Sequence, residues 1–124
     1  MYELAVEEII SAGHQLRGYH GQCERCHGHN WRIRLEVAAA TLDEHGLAMD
    51  FVTLQELLRH VLSDFDHVML NELPEFARQN PSAENLARLL YDRCREALRT
   101  LPRALDLQAI VVWESPSSSV RYHE

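Results

Sequence analysis

The chain contains no lysine; its twelve basic residues are all arginine, and no stretch gathers them into a cluster. Nineteen acidic residues leave a formal net charge of −7. Sequence-independent nucleic-acid binding rests on a basic surface that neutralises phosphates, so this composition excludes it. Long apolar runs are also missing. Nothing approaches the roughly 20 residues that a membrane-crossing helix requires, and no basic-then-apolar leader opens the sequence. Cysteine is scarce and odd in number (Cys23, Cys26 and Cys94), which argues against a disulfide framework and for reduced thiols. These features predict a cytoplasmic protein. At 124 residues the chain suffices for one buried core and is too short for two, so a single domain over 1–124 is expected. Repeats and low-complexity segments are absent, apart from a short turn at 115–119.

What is present is a strand and helix pattern in the order ββααββ. Tyr2, Leu4, Val6, Ile10, Ala12 and His14 alternate over 2–14, with a disturbance at Glu7 and Glu8 that suggests a bulge. Over 27–37, His27, His29, Trp31, Ile33, Leu35 and Val37 share one face, and Asn30, Arg32, Arg34 and Glu36 the other. A turn at 42–46 leads through an extended "LAMDF" into a helix, for which Thr53 and Glu56 form a capping box. Residues 71–82 connect to a second helix. It starts near Ser82, buries Leu86, Leu89, Leu90, Cys94, Ala97 and Leu98, and is stopped by Pro102. A strand at 107–114 and its hairpin partner at 119–123 complete a two-layer α+β domain. Four strands covered by helices on one side leave two edges and a face open, which predicts an oligomer.

Histidine, at eight residues, is abundant. A lone histidine on a half-buried strand is usually just hydrogen-bonded. Here, however, His27 and His29 flank Gly28, and the two-residue strand period sends both imidazoles the same way. A glycine between them lets another backbone approach. If strands 2–14 and 27–37 form a hairpin, His14 comes opposite this pair. Three convergent imidazoles with an open fourth position form the pattern of a catalytic zinc site. Two different uses of the segment compete. Cys23 and Cys26 could close a structural zinc site with His27 and His29, but they lie too near His27 and leave His14 idle. A redox C-x-x-C pair is expected at the start of a helix, whereas this one precedes a strand.

Together these residues resemble the 6-pyruvoyltetrahydropterin synthase family. "SAGHQLRGYHGQCERCHGHNW" carries its C-x-x-x-H-G-H spacing, Cys23 to His29, which is similar to the branch making 6-carboxy-5,6,7,8-tetrahydropterin for queuosine and other 7-deazapurines. "MDFVTLQ", "DFDHVMLNEL", "NPSAENLARLLYDR" and "VVWESPSSSVRY" resemble further family blocks in the right order, so the likeness spans nearly the whole chain. The resemblance implies a tunnelling fold whose sheets join into a trimeric barrel, with two barrels stacked as a homohexamer. It implies zinc held by His14, His27 and His29, and Cys23 as the catalytic cysteine. Asp66 and His67 would be that cysteine's partners, reaching it across a subunit interface, and Glu114 would anchor the N–H groups of a pterin. The implied substrate is 7,8-dihydroneopterin triphosphate, a small molecule, with 6-carboxytetrahydropterin, acetaldehyde and triphosphate as products. Arg17 and Arg25 flank the site and are candidates for the triphosphate.

The local chemistry bears on these roles. A carboxylate beside an imidazole raises its basicity, as Asp66 would for His67, although the pair also reads as a turn after a helix. Glu114 closes the apolar strand "AIVVWE", where a charge is costly unless paired, although a strand end already meets water. Cys26 stands where the family commonly has leucine and reads as a small buried hydrophobe. Ile10 replaces a common aromatic, and "ESPSSS" replaces a threonine-containing version. Glu24 overlays an E-x-x-H-G-H spacing that resembles a variant cleaving the side chain to a hydroxymethylpterin. An enzyme that retains the pyruvoyl side chain and a non-enzymatic zinc-stabilised module also fit the pattern. His20, His45, His60 and His123 are expected to face solvent.

Overall fold

The computed structural model describes residues 1–19 and 25–124. Two long strands, β1 (Tyr2–His14) and β2 (His27–Ala39), pair antiparallel along their entire length. Helix α1 (Phe51–Leu62), the short strand β3 (Val68–Met69), helix α2 (Ala83–Leu98) and the hairpin β4 (Asp106–Ser115) and β5 (Ser118–Tyr122) follow. The sheet order is β3-β1-β2-β4-β5. Both helices pack on one face, α1 over β1 and α2 over β4 and β5. This is the two-layer α+β architecture expected.

The core follows the strand period. Trp31, Ile33, Leu35 and Val37 are fully buried, and they meet Leu54 and Leu58 of α1 and Leu86 and Leu90 of α2. Full burial of each such aliphatic side chain contributes about 1.5–3 kcal/mol. Arg32, Arg34 and Glu36 stand on the opposite face, where Glu7 bonds Arg34 and Glu36 bonds Arg121.

Several local expectations are corrected. Glu7 and Glu8 form no bulge, since β1 pairs in unbroken register from Tyr2↔Ala39 to His14↔His27. Glu8 keeps its helix-facing place because Gln55 and Arg59 bond its carboxylate. The register shift lies instead at Glu36/Val37, opposite β4. Helix α1 begins before the proposed capping box: Asp50 is its N-cap and accepts from the Val52 N–H at 2.7 Å. That bond draws Phe51 into the helix instead of an extended run. Helix α2 does start after Ser82, which caps Asn85, but it ends at Leu98, ahead of Pro102. The connection 71–82 is not featureless, because 3₁₀ turns at Leu70–Glu72 and Pro74–Phe76 bury Leu70 and Phe76. Finally, the sheet gains a fifth strand, β3, which is too short to read from periodicity and pairs parallel to β1 at Ala12 and Gly13.

Candidate metal centre

The unbroken β1–β2 register sets His14 directly opposite His27, and paired residues share a face of the sheet. His29 lies on the same face two residues further along. The rings of His14 and His27 are 4.5 Å apart between centroids, those of His14 and His29 5.2 Å, and those of His27 and His29 4.7 Å. Trp31 forms the floor, edge-on to His14 at 4.8 Å, with its indole N–H donating to the Ala12 carbonyl at 3.1 Å. No backbone comes tightly against Gly28, where a Cβ would stand 4.0 Å from the Ala12 carbonyl oxygen; the tight position is its partner Gly13, where a Cβ would stand 3.2 Å from the Met69 sulfur.

Backbone carbonyls orient two of the rings. Nδ1 of His14 lies 2.7 Å from the Pro81 carbonyl oxygen, and Nδ1 of His27 lies 2.8 Å from that of Arg25. A carbonyl only accepts, so each Nδ1 carries the proton and each Nε2 presents its lone pair. His14 is 2 % exposed, and its Nε2 is buried with no hydrogen-bond partner among the described residues. A buried, unpartnered imidazole nitrogen calls for a cation or a donor. Glu114 completes the group: its carboxylate stands 3.6 Å from Nε2 of His29 and 3.9 Å from Nε2 of His14. One ligand atom from each of His14, His27, His29 and Glu114 falls within 4.8 Å of all the others. This donor set fits a borderline divalent ion such as zinc.

Next to this cluster, Glu114, Ser82, Glu84, Ser118 and Ser119 line a cleft of about 240 Å³. Among the described residues, Asp66, His67, Arg17 and Arg25 contribute no side chain to this cluster. Asp66 and His67 adjoin each other, Nε2 to Oδ1 3.7 Å, and the His67 side chain is 81 % exposed. His67 has φ of 57°, the left-handed value that turns the chain into β3. Asp66 also accepts from the Ser11 N–H at 2.9 Å, which binds it to β1. Arg17 directs its guanidinium at the Phe76 and Ala77 carbonyls, and Arg25 is exposed. Cys23, Glu24 and His20 lie outside the described residues. Cys26 is exposed, not buried as its family position suggested; its thiol donates to the Met69 sulfur at 3.4 Å. His45, His60 and His123 face solvent as expected.

Sequence reasoning missed both orienting carbonyls, which no side-chain pattern reveals, and the placement of Glu114 against the imidazoles. It placed Trp31 on the histidine face but not beneath the rings.

Layer order, strand order and the single helical face together define a tunnelling-fold subunit with a histidine-lined centre at the end of its long hairpin. The chain belongs to the 6-pyruvoyl tetrahydropterin synthase family, whose sequence profile matches residues 3–124. It is 31% identical to the 6-carboxy-5,6,7,8-tetrahydropterin synthase of Bacillus subtilis, over 98% of this chain and 84% of that protein. It is 32% identical to the protein of the same name from Synechocystis, over 98% and 93%. The structure superposes on the 6-pyruvoyl tetrahydropterin synthase of Caenorhabditis elegans with a TM-score of 0.77, covering 100% of this chain and 97% of that one at 20% identity. At that identity the superposition supports the fold alone.

Proposed function

We propose that this protein is a zinc-dependent 6-carboxy-5,6,7,8-tetrahydropterin synthase of 7-deazapurine biosynthesis. It would convert 7,8-dihydroneopterin triphosphate and water to the carboxytetrahydropterin, acetaldehyde and triphosphate, a carbon–carbon and carbon–oxygen lyase reaction. The observation that carries this reading is the orphaned Nε2 of His14, aimed into a cluster with His27, His29 and Glu114. The names of the relatives at 31% and 32% identity support the choice of branch.

In this reading His14, His27 and His29 hold zinc through Nε2. Bound there, the metal supplies Lewis-acid polarisation of side-chain oxygens. Glu114 sits between the histidines and the cleft, where its carboxylate accepts from the N–H edge of a pterin. The serine hydroxyls of Ser82, Ser118 and Ser119 offer further hydrogen bonds in that cleft. Cys23 carries protons as a thiolate, and His67, held next to Asp66, acts as its partner acid and base. Because His67 is exposed and turned outward, it serves a site on an adjoining subunit. The strand edges support such an assembly. No strand among the described residues pairs with the outer edge of β5, or with that of β1 ahead of Ser11, so both can join neighbouring subunits of a homohexamer. Arg25 remains a candidate for the triphosphate, whereas the guanidinium of Arg17 is occupied by carbonyls. The odd count of three cysteines, which argues against a disulfide framework, supports a reducing compartment, the cytoplasm. No helix among the described residues is long and apolar enough to cross a membrane.

Mass spectrometry of the products formed from 7,8-dihydroneopterin triphosphate tests the proposal. The carboxylate product supports it. A 6-pyruvoyl product or a hydroxymethylpterin, the latter expected of the Glu24 spacing, would each move the protein to another branch.

A further inference from the structure

From Ser11 onward, the outer edge of β1 is closed mainly by side chains. Ser11 directs its N–H to the Asp66 carboxylate at 2.9 Å and its carbonyl to the His67 N–H at 2.6 Å. Gly13 pairs with Met69 of β3. Beyond His14 no strand among the described residues continues on that side, yet the pattern persists. The Gln15 N–H donates to Oδ1 of Asn71 at 2.8 Å, and Nδ2 of Asn71 donates to the Gln15 carbonyl at 2.8 Å. Two residues on, the Arg17 N–H donates to Oδ1 of Asn80 at 2.8 Å, and Nδ2 of Asn80 donates to the Arg17 carbonyl at 3.0 Å.

A carboxamide offers one acceptor and one donor side by side, the same pair that a strand residue presents. No other short side chain does so. Asn71 and Asn80 therefore act as two detached rungs of a ladder, at the strand period of two. Each is anchored in turn. Asn71 belongs to the first 3₁₀ turn after β3, and the Asn80 carbonyl accepts from Asn85 in the first turn of α2 at 2.8 Å.

We infer that Asn71 and Asn80 are positioning residues, which extend β1 past His14 and fix the stem of the segment that carries Cys23. His14 needs neither, because the hairpin register and the Pro81 carbonyl hold it. What the asparagines add is a set direction for the chain over the three residues after it. Cys23 lies only six residues beyond Arg17, so an error at the stem is carried toward the thiol. The effect on catalysis rests on the synthase reading above; the clamp itself does not.

The Arg17–Gly18 bond supplies a readout independent of activity. Trypsin must take the Arg17 side chain and reach its carbonyl, and both are engaged here. Asn71→Asp and Asn80→Asp keep the accepting oxygen and set a second one against a backbone carbonyl. We expect each to speed cleavage at Arg17–Gly18 by about tenfold or more, with cleavage at Arg99–Thr100 unchanged. Zinc content should stay at the wild-type level. On dihydroneopterin triphosphate, kcat should fall by up to about 10²-fold with KM little changed, as misplacement of a reacting group predicts.

Unchanged cleavage at Arg17–Gly18 would overturn the clamp. Faster cleavage with unaltered kcat would reduce it to an edge cap and overturn the positioning role. If wild-type protein does not turn over the pterin at all, the synthase reading fails while the proteolysis still judges the clamp. Should both variants fail to fold, amide exchange on the wild-type protein decides: the Gln15 and Arg17 amides must be protected like those inside β1, and rapid exchange there refutes the inference.

Discussion

Nδ1 of His14 meets the carbonyl oxygen of Pro81 at 2.7 Å, a bond that joins the end of β1 to the turn before α2. It fixes the ring's tautomer and leaves Nε2 to the histidine cluster. The first prediction follows from this. The protein should bind about one zinc per chain, lost in His14→Ala, His27→Ala and His29→Ala and kept in Cys23→Ala. X-ray absorption should find a nitrogen and oxygen shell, and a sulfur ligand would disprove a histidine-held site. Free zinc at about 100-fold above its Kd should raise stability by about 2.7 kcal/mol, read as a higher Tm reversed by chelator.

Glu114 stands within 4 Å of two imidazoles and also lines the cleft, so its two possible uses need separating. As the pterin anchor, its change in Glu114→Gln should leave zinc content intact and raise KM about tenfold or more, since hydrogen bonds to a charged group are worth about 1.5–3 kcal/mol. Elemental analysis alongside steady-state kinetics checks both. Loss of the metal in this variant would make Glu114 a ligand instead.

The two cysteines of the C-x-x-C segment should behave differently. Cys23→Ala should lower turnover by about 10²–10⁴-fold without unfolding the protein. Cys26 is exposed, with its thiol against Met69 and away from the imidazoles, so Cys26→Leu should leave kcat and zinc nearly unaltered. Equal loss in the two variants would favour a paired structural or redox role.

Burial pushes the Cys94 thiol up to about 12, from an ordinary value of 9.0. Above pH 9.0 the unfolded chain releases this proton while the folded chain keeps it. The folded state then binds more protons, so stability falls as pH rises through that window and is unaffected by this group below it. Cys94→Val should flatten the decline of Tm with pH over the same range. An unaltered slope would show that other groups govern alkaline unfolding.

Assembly is the fifth prediction. Light scattering should report a mass six times that of the chain, and a concentration-independent monomer would contradict the shared site. A charge reversal on the exposed face of β5, as in Arg121→Glu, should break the assembly. It should also abolish turnover more than zinc binding, because the histidine cluster forms within one chain while His67 is turned outward.

Much of this was legible in the residues. Alternation over 27–37 placed four core side chains and two histidines on one face, and every one of them lies there in the fold. Leu86, Leu90, Cys94 and Leu98 recur at helical spacing and are buried on α2. The start of α1 was less legible, since Thr53 with Glu56 offers a plausible cap and only the bond from Asp50 to the Val52 N–H shows which one operates. Glu8 looked like a break in a strand because its partners, Gln55 and Arg59, lie in a helix more than forty residues away.

The sequence by itself determined the local periods, and with them the side-by-side projection of His27 and His29, because the strand period acts between neighbours along the chain. Tertiary structure decided the rest of the centre. Placing His14 opposite His27 depends on a register that a one-residue slip would reverse, and that register is held by core packing along the hairpin. Glu114 reaches the imidazoles because β4 pairs with β2 after two helices have intervened. The Pro81 carbonyl and the carboxamides of Asn71 and Asn80 act across more than fifty residues, each contact having as one partner a backbone group that carries no side-chain signature. Such contacts depend on where packing brings distant segments, and no period in the sequence records it.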